Sequence, residues 1–237
     1  MNDYKEKIIV TMTSWRKRLT NIPDVLDTVF KQTIKPDKIV INLSSEEFPD
    51  KEKEIPAEVL EYINKHNDTI IINWVDGKNI KSWKKTIPTF KLFPNDCIIC
   101  IDDDLLYKET FIETLWKAHL KYPNNPISYT IAHINRYFIQ HCGNGALDKK
   151  CYYDDDIEKW LSTDITNFGD EDSFMTFMAV RHGNRPISCG HFTNVTTPFK
   201  NDNGIGGADL WKAYYWISNV LNDKFENYIK LEDLFIR

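Results

Sequence analysis

The chain has 237 residues, 42% of them hydrophobic and 27% charged, with a formal net charge of −5. This balance is ordinary for a soluble globular protein, and the acid excess counts against a general nucleic-acid binder. The five cysteines, Cys97, Cys100, Cys142, Cys151 and Cys189, are odd in number and scattered, unlike a disulfide framework. The polar opening at 1–7 has no apolar signal-peptide core, and no stretch approaches the ~20 apolar residues of a membrane span. The expectation is a cytoplasmic protein.

In chain order, the first half alternates strand and helix. IIVTMT at 8–13 is a β-rich run, and Ile22, Val25, Leu26, Val29 and Phe30 mark one face of a helix over 22–33. A second strand covers 38–43, a helix covers 56–66 with Pro56 in its first turn, and a third strand covers 69–74. Residues 81–92 have helical character, with Pro88 set to kink or divide them. CIICI at 97–101 is a fourth strand, followed by a helix over 108–121. Cys97 and Cys100 form a C-x-x-C, but inside this apolar run they read as strand residues rather than as a zinc or redox pair. Beyond Pro126 the pattern loosens. A strand is expected at 127–132, an irregular polar stretch at 142–156, a helix at 174–180 and a strand within 189–198. A Gly- and Asn-rich loop at 201–207 and an aromatic helix at 210–221 follow. With no repeat or linker, one domain over 1–237 is expected, with the regular strand–helix half at 1–107 and the looser half at 108–237.

Four apolar strands separated by helices predict an α/β fold with a mostly parallel central sheet covered on both faces. Ligands in such sheets bind at the carboxyl ends of the strands. There the sequence places Asp102, Asp103 and Asp104, directly after the fourth strand. Three adjacent like charges repel unless solvated or neutralised. A hard divalent cation such as Mg²⁺ or Mn²⁺ supplies neutralisation and bridges nucleotide phosphates. The competing reading is a solvated acidic turn. No G-x-x-x-x-G-K-[ST] exists in the chain, which counts against a P-loop NTPase.

The strand, Asp-rich turn and helix resemble the D-x-D region of the GT-A (Rossmann-like) glycosyltransferases, most closely inverting family 2. IVTMTSW at 9–15 and LDTVFKQTIKPDKIVI at 26–41 resemble that family's opening strand, first helix and second strand. The resemblance implies that Thr13, Ser14 and Trp15 contact the nucleotide base, with Trp15 stacked on it. Ser44 stands where the family often has Asp reading base or ribose, and Asp76 follows the third strand as a further donor-binding candidate. Asp104 matches the main metal ligand, and Asp102 or Asp103 serves the ribose and a second metal contact. Thr13 and Ser14 as helix caps, and Trp15 as a core residue, are the competing readings.

Lys84 and Lys85 lie in NIKSWKK at 79–85, where the resembled enzymes close over the donor, and suit phosphate oxygens as point charges; a solvated helix face is the alternative. In FGDEDSF at 168–174, Glu171 and Asp172 match a Glu-Asp pair that opens a helix in family 2, with Asp172 at the position of the general base. An acidic helix N-terminus explains the same residues structurally. Arg181 matches a frequent Arg. Asp154, Asp155 and Asp156 follow no apolar strand and read as a surface loop. No spacing singles out a histidine among His133, His141, His182 and His191.

The resemblance implies a metal-dependent glycosyltransferase using Mn²⁺ or Mg²⁺. It takes a nucleotide-sugar donor, UDP-sugar favoured, and a glycan or lipid-linked glycan acceptor, with inversion, in bacterial surface-glycan synthesis, with peripheral membrane contact. The alternatives are a nucleotidyltransferase, which would show a Gly-rich loop where this chain has TSWRKR, and a non-catalytic sugar-nucleotide or glycan-binding module, which needs no base at Asp172.

Overall fold

Four runs rich in Ile and Val form the parallel half of a sheet: β1 (Ile8–Thr13), β2 (Lys38–Ser44), β3 (Ile70–Val75) and β4 (Cys97–Cys100). Their order is β3-β2-β1-β4, each neighbouring pair parallel. β-Branched side chains suit strands packed on both faces, and here the faces alternate residue by residue. The computed structural model describes residues 5–129, 131–134, 137–140, 142, 145–153, 157, 171–191 and 196–198. The sequence readings at 154–156, 201–207 and 210–221 lie outside them.

Three crossovers link these strands, through α1 (Ile22–Phe30), α2 (Ala57–Lys65) and α3 (Ile87–Leu92). Pro23 sits in the first turn of α1, where its missing N–H costs nothing. Pro88 does the same in α3, and the segment it was expected to kink or divide is a 3-10 turn, Lys81–Lys84, followed by α3. The buried Gln32 ties the end of α1 to the approach of the next helix, α4 (Phe111–Lys121). Its Nε2 donates to the Thr28 and Lys108 carbonyls at 3.1 and 2.8 Å, and its Oε1 accepts the Ile112 N–H at 2.9 Å.

The second half completes the sheet. A short β5 (Leu105–Tyr107) follows the Asp turn, then β6 (Ile127–Ser128), β7 (Ile131–Ile134), β8 (Tyr137–Gln140), β9 (Ala146–Asp148), α5 (Glu171–Arg181), β10 (Ile187–Ser188) and β11 (Thr196–Pro198). The seven-stranded order is β10-β6-β9-β4-β1-β2-β3. β9 is antiparallel to both β4 and β6, and it comes from the stretch expected to be irregular. The strand expected at 127–132 is broken in two: β6 joins the main sheet, and β7 pairs antiparallel with β8. β5 pairs with β11.

The core lies on both sides of the sheet. On one face Val10, Met12, Ile39, Ile41, Ile99 and Ile101 pack against Val25, Leu26 and Val29 of α1, Val59 of α2, and Phe111 and Leu115 of α4. On the other, Ile9, Val40, Ile98 and Cys100 meet Trp83, Ile87 and Phe90, with Phe174, Met175 and Met178 of α5. Residues 174–180 are all buried, so α5 shows no polar face and no helical period in its sequence. Cys97 and Cys100, three apart on a strand, point to opposite faces, which removes any joint role for the C-x-x-C.

Candidate active site

Because β1 to β4 are parallel, their carboxyl ends share one edge, and the segments leaving β1, β3 and β4 converge there with Glu47 from the segment after β2. Between them is a cavity of about 480 Å³. Of the residues singled out in the sequence it is lined by Thr13, Ser14, Trp15, Lys84, Lys85, Asp102 and Asp103; it is also lined by Arg18, Glu47, Asn79, Lys81 and Ser82, which sequence reasoning missed. A faint signal existed for Arg18: it lies three residues past Trp15 on the 3-10 turn Arg16–Asn21, and that spacing places both on one side of such a turn.

The three aspartates take different partners. Asp102 Oδ1 is ion-paired with Lys85 Nζ. Asp103 turns inward: its Oδ2 accepts the Ser14 hydroxyl at 2.6 Å and its Oδ1 faces Arg18 Nη1 at 3.1 Å. Burial pushes the Asp103 carboxyl upward, while Ser14 and Arg18 oppose the shift. The same Arg18 Nη1 reaches Asp104 Oδ2 at 3.1 Å. Two cations of the chain thus already offset the charge that the sequence reading assigned to a metal. The Asp102 and Asp104 side chains stay open, at 28% and 27% exposure against 8% for Asp103. The outer two carboxylates thus offer hard oxygen donors within reach of solvent, the kind of ligand a divalent cation takes.

Lys84 and Lys85 are not on a solvated helix face; their exposures are 3% and 9%. The Lys85 carbonyl is held by the Thr11 and Thr89 hydroxyls at 2.6 and 3.0 Å, and Asn42 bridges the two hydroxyls at 3.0 and 2.9 Å. This network, buried between β1, β2 and α3, anchors the segment that carries both lysines. Lys84 Nζ donates to Asn79 Oδ1 at 2.5 Å. Burial pulls Lys84 down to about 8, with Glu47 opposing, so it is a cation that titrates near neutrality. For Lys85, burial also acts downward, but the ion-paired Asp102 carboxylate outweighs it and holds the charge. Lys81, at the cavity mouth, has φ 52, a left-handed conformation that costs a non-glycine residue about 1–3 kcal/mol.

Glu171 and Asp172 open α5 and do not line the cavity. Glu171 is 3% exposed; its Oε1 accepts the Thr86 hydroxyl at 2.9 Å, and its Oε2 has no hydrogen-bond partner among the described residues. Burial pushes it up to about 8, against the pull of Lys85, so it keeps its proton at neutral pH. Asp172 is half-buried, and its Oδ1 accepts the Cys142 N–H at 2.9 Å. Arg181 stands at the other end of α5, roughly 14 Å away along the axis. Ser44 is fully buried, with its hydroxyl turned to the Glu47 N–H at 3.4 Å. Asp76 is exposed, accepts the Ser45 hydroxyl at 2.6 Å and lines a different cavity beside β3. His182 and His191 are exposed; His141 and the His133 side chain lie outside the described residues.

No protein-family model matches the chain, and no curated protein matches it. Solved structures do. The mannosyltransferase PcManGT from Pyrobaculum calidifontis, in complex with GDP-Man and Mn²⁺, is similar over 88% of this chain with a TM-score of 0.58 and 16% identity. This chain spans 60% of the length of that protein. S. aureus TarS 1–349 in complex with UDP-GlcNAc is similar over 96% of this chain and 77% of its own, with a TM-score of 0.53 and 12% identity. At such identities the likeness is one of architecture: this chain has the α/β fold of these glycosyltransferases, a mostly parallel sheet flanked by helices.

Proposed function

We propose that the chain is a metal-dependent glycosyltransferase that moves a sugar from a nucleoside diphosphate donor to an acceptor hydroxyl. The observation that carries this reading is the charge pattern of one cavity at the carboxyl edge of the sheet. Four cationic side chains, Arg18, Lys81, Lys84 and Lys85, face three carboxylates, Glu47, Asp102 and Asp103. Mixed charge of this kind suits a diphosphate bound together with a cation. The two similar structures support it, since one holds GDP-Man with Mn²⁺ and the other UDP-GlcNAc.

In this reading Asp104 and Asp102 hold Mn²⁺ or Mg²⁺, which stabilises charge on the departing diphosphate. Lys84 and Lys85 bind phosphate oxygens, and Arg18 exchanges its hold on Asp104 for the diphosphate. Trp15 stacks on the base, Thr13, Ser14 and Asp103 support it, and a UDP-sugar is favoured. Asp172 takes the proton from the acceptor hydroxyl, and transfer inverts the anomeric centre. Glu171, neutral beneath it, positions the start of α5. Ser44 acts only through the backbone of the segment after β2, and Asp76 belongs to the rim. The acceptor is a glycan or lipid-linked glycan in bacterial surface-glycan synthesis, met at the membrane surface. No helix among the described residues is long and apolar enough to cross a membrane.

Calorimetry with a panel of UDP- and GDP-sugars tests the reading. Binding is expected with Mn²⁺ and lost in EDTA, and Asp104→Ala abolishes the metal dependence. Undiminished affinity in EDTA removes the metal from the reading, and failure of every nucleotide sugar to bind overturns it altogether.

A further inference from the structure

At the opposite edge of the sheet, the amino end, three potential metal ligands meet from distant parts of the chain. Glu6 precedes β1, Cys97 opens β4 and His119 lies in the last turn of α4. Their ligand atoms all lie within 4.8 Å of one another, the only such group of three among the described residues. We infer that Glu6, Cys97 and His119 form a zinc site, separate from the donor cavity.

The distances suit one ion. His119 Nε2 stands 3.5 Å from Cys97 Sγ and 2.9 Å from Glu6 Oε2. Around a tetrahedral Zn²⁺ with ordinary bond lengths, the sulfur–nitrogen edge is about 3.6 Å and the nitrogen–oxygen edge about 3.3 Å. Both edges at His119 thus lie within a few tenths of an ångström of the bound geometry. The histidine is also set in the required tautomer. Tyr152 donates its hydroxyl proton to the Pro123 carbonyl at 2.8 Å, so it accepts from His119 Nδ1 at 3.1 Å. That places a ring proton on Nδ1 and turns Nε2, the other ring nitrogen, toward Glu6 and Cys97. A carboxylate oxygen and a nitrogen lone pair at 2.9 Å need a cation between them, which is either a proton or a metal.

The surroundings complete the set. Lys149 pairs with Glu6 through Oε1, leaving Oε2 for the ion. The backbone is fixed on both sides, with the Cys97 N–H donating to the Lys7 carbonyl at 3.0 Å and the Lys7 N–H to Asp96 Oδ1 at 2.9 Å. Mixed sulfur, nitrogen and oxygen ligands select zinc over Mg²⁺. Cys97 gives up its proton to solvent on binding. Three protein ligands leave the fourth corner to water. The ion would clamp the start of β1 to β4 and α4.

Cobalt and zinc titration of the full chain tests this, in excess Mg²⁺ so that hard carboxylate sites are occupied. Co²⁺ is expected to give a thiolate-to-cobalt charge-transfer band and the intense visible bands of a tetrahedral ion, displaced by one equivalent of Zn²⁺. Zinc should raise the melting temperature. Cys97→Ser removes the charge-transfer band, and His119→Gln weakens zinc by about 100-fold or more, beyond the loss typical of an outer hydrogen-bond partner. Absence of the charge-transfer band in the unaltered chain overturns the inference and assigns the gap between Glu6 and His119 to a proton. That measurement needs no variant, so it stands even if Cys97→Ser fails to fold.

Discussion

Replacing Trp15 with alanine separates a ligand-facing ring from a structural one. Trp15 lines the cavity, is only partly buried, and among the described residues joins neither apolar core. Among the described residues its Nε1 is buried without a hydrogen-bond partner, and Lys17 Nζ lies over the ring at 5.2 Å. Truncation of a core tryptophan costs about 3–5 kcal/mol, but that figure assumes a cavity left in packed surroundings. Here removal also relieves an unsatisfied N–H, itself a cost of about 1–3 kcal/mol. The net loss of stability is therefore expected to be about 1 kcal/mol, roughly 2–4 °C for a chain of this length. A base stacked on the ring is worth about 1–3 kcal/mol, so donor affinity should fall roughly 5- to 150-fold. Calorimetry with UDP and with a UDP-sugar, both with Mn²⁺, should register equal losses, because the sugar lies away from the ring. Trp15→Phe keeps an aromatic face and should retain most of the affinity. A large fall in melting temperature, with donor affinity intact in the folded fraction, would refute the reasoning and make Trp15 structural.

Asp172→Asn keeps shape but removes basicity, so turnover should fall by about 10²-fold or more while donor affinity, read by calorimetry, barely changes; normal turnover at saturation would exclude Asp172 as the base. Glu171 is raised by burial from 4.5 to about 8, so between those values the folded chain holds a proton that the unfolded chain has released. Stability should then decline as pH rises from about 5 to 8, by roughly a few kcal/mol, and level off above. Urea unfolding of Glu171→Gln, which mimics the neutral form, should show a flatter pH profile than the unaltered chain; an unchanged slope refutes the assignment. Gly145 precedes β9 at φ +109, and a Cβ there would stand 2.4 Å from the Phe111 ring. Gly145→Ala should cost about 2–5 kcal/mol in strain and overpacking, visible as a marked fall in melting temperature.

The chain's local patterns carried much of its architecture. Apolar runs of strand length and helical spacing at Ile22, Val25, Leu26 and Val29 placed the parallel half of the sheet within a few residues. Pro88 announced the division of its helix. β9 was hidden because its three residues, Ala146, Leu147 and Asp148, are too short for a period and end in a carboxyl that survives burial only through Tyr153 and Gln140. β5 and β10, of three and two residues, are equally silent.

The sequence alone determined that acidic groups stand at the end of a central strand, because strand length and the residues that follow are both local. Which charges meet them was decided only by the tertiary structure. Lys85 reaches Asp102 across 17 positions, and Arg18 reaches Asp103 across 85. Pairing over such separations depends on strand order and on which face each side chain takes, and neither leaves a mark in the composition around a residue. For the same reason a solvated helix face stood as the alternative for Lys84 and Lys85, and an acidic helix N-terminus as the alternative for Glu171. Their titration follows from burial, which the neighbouring letters do not encode.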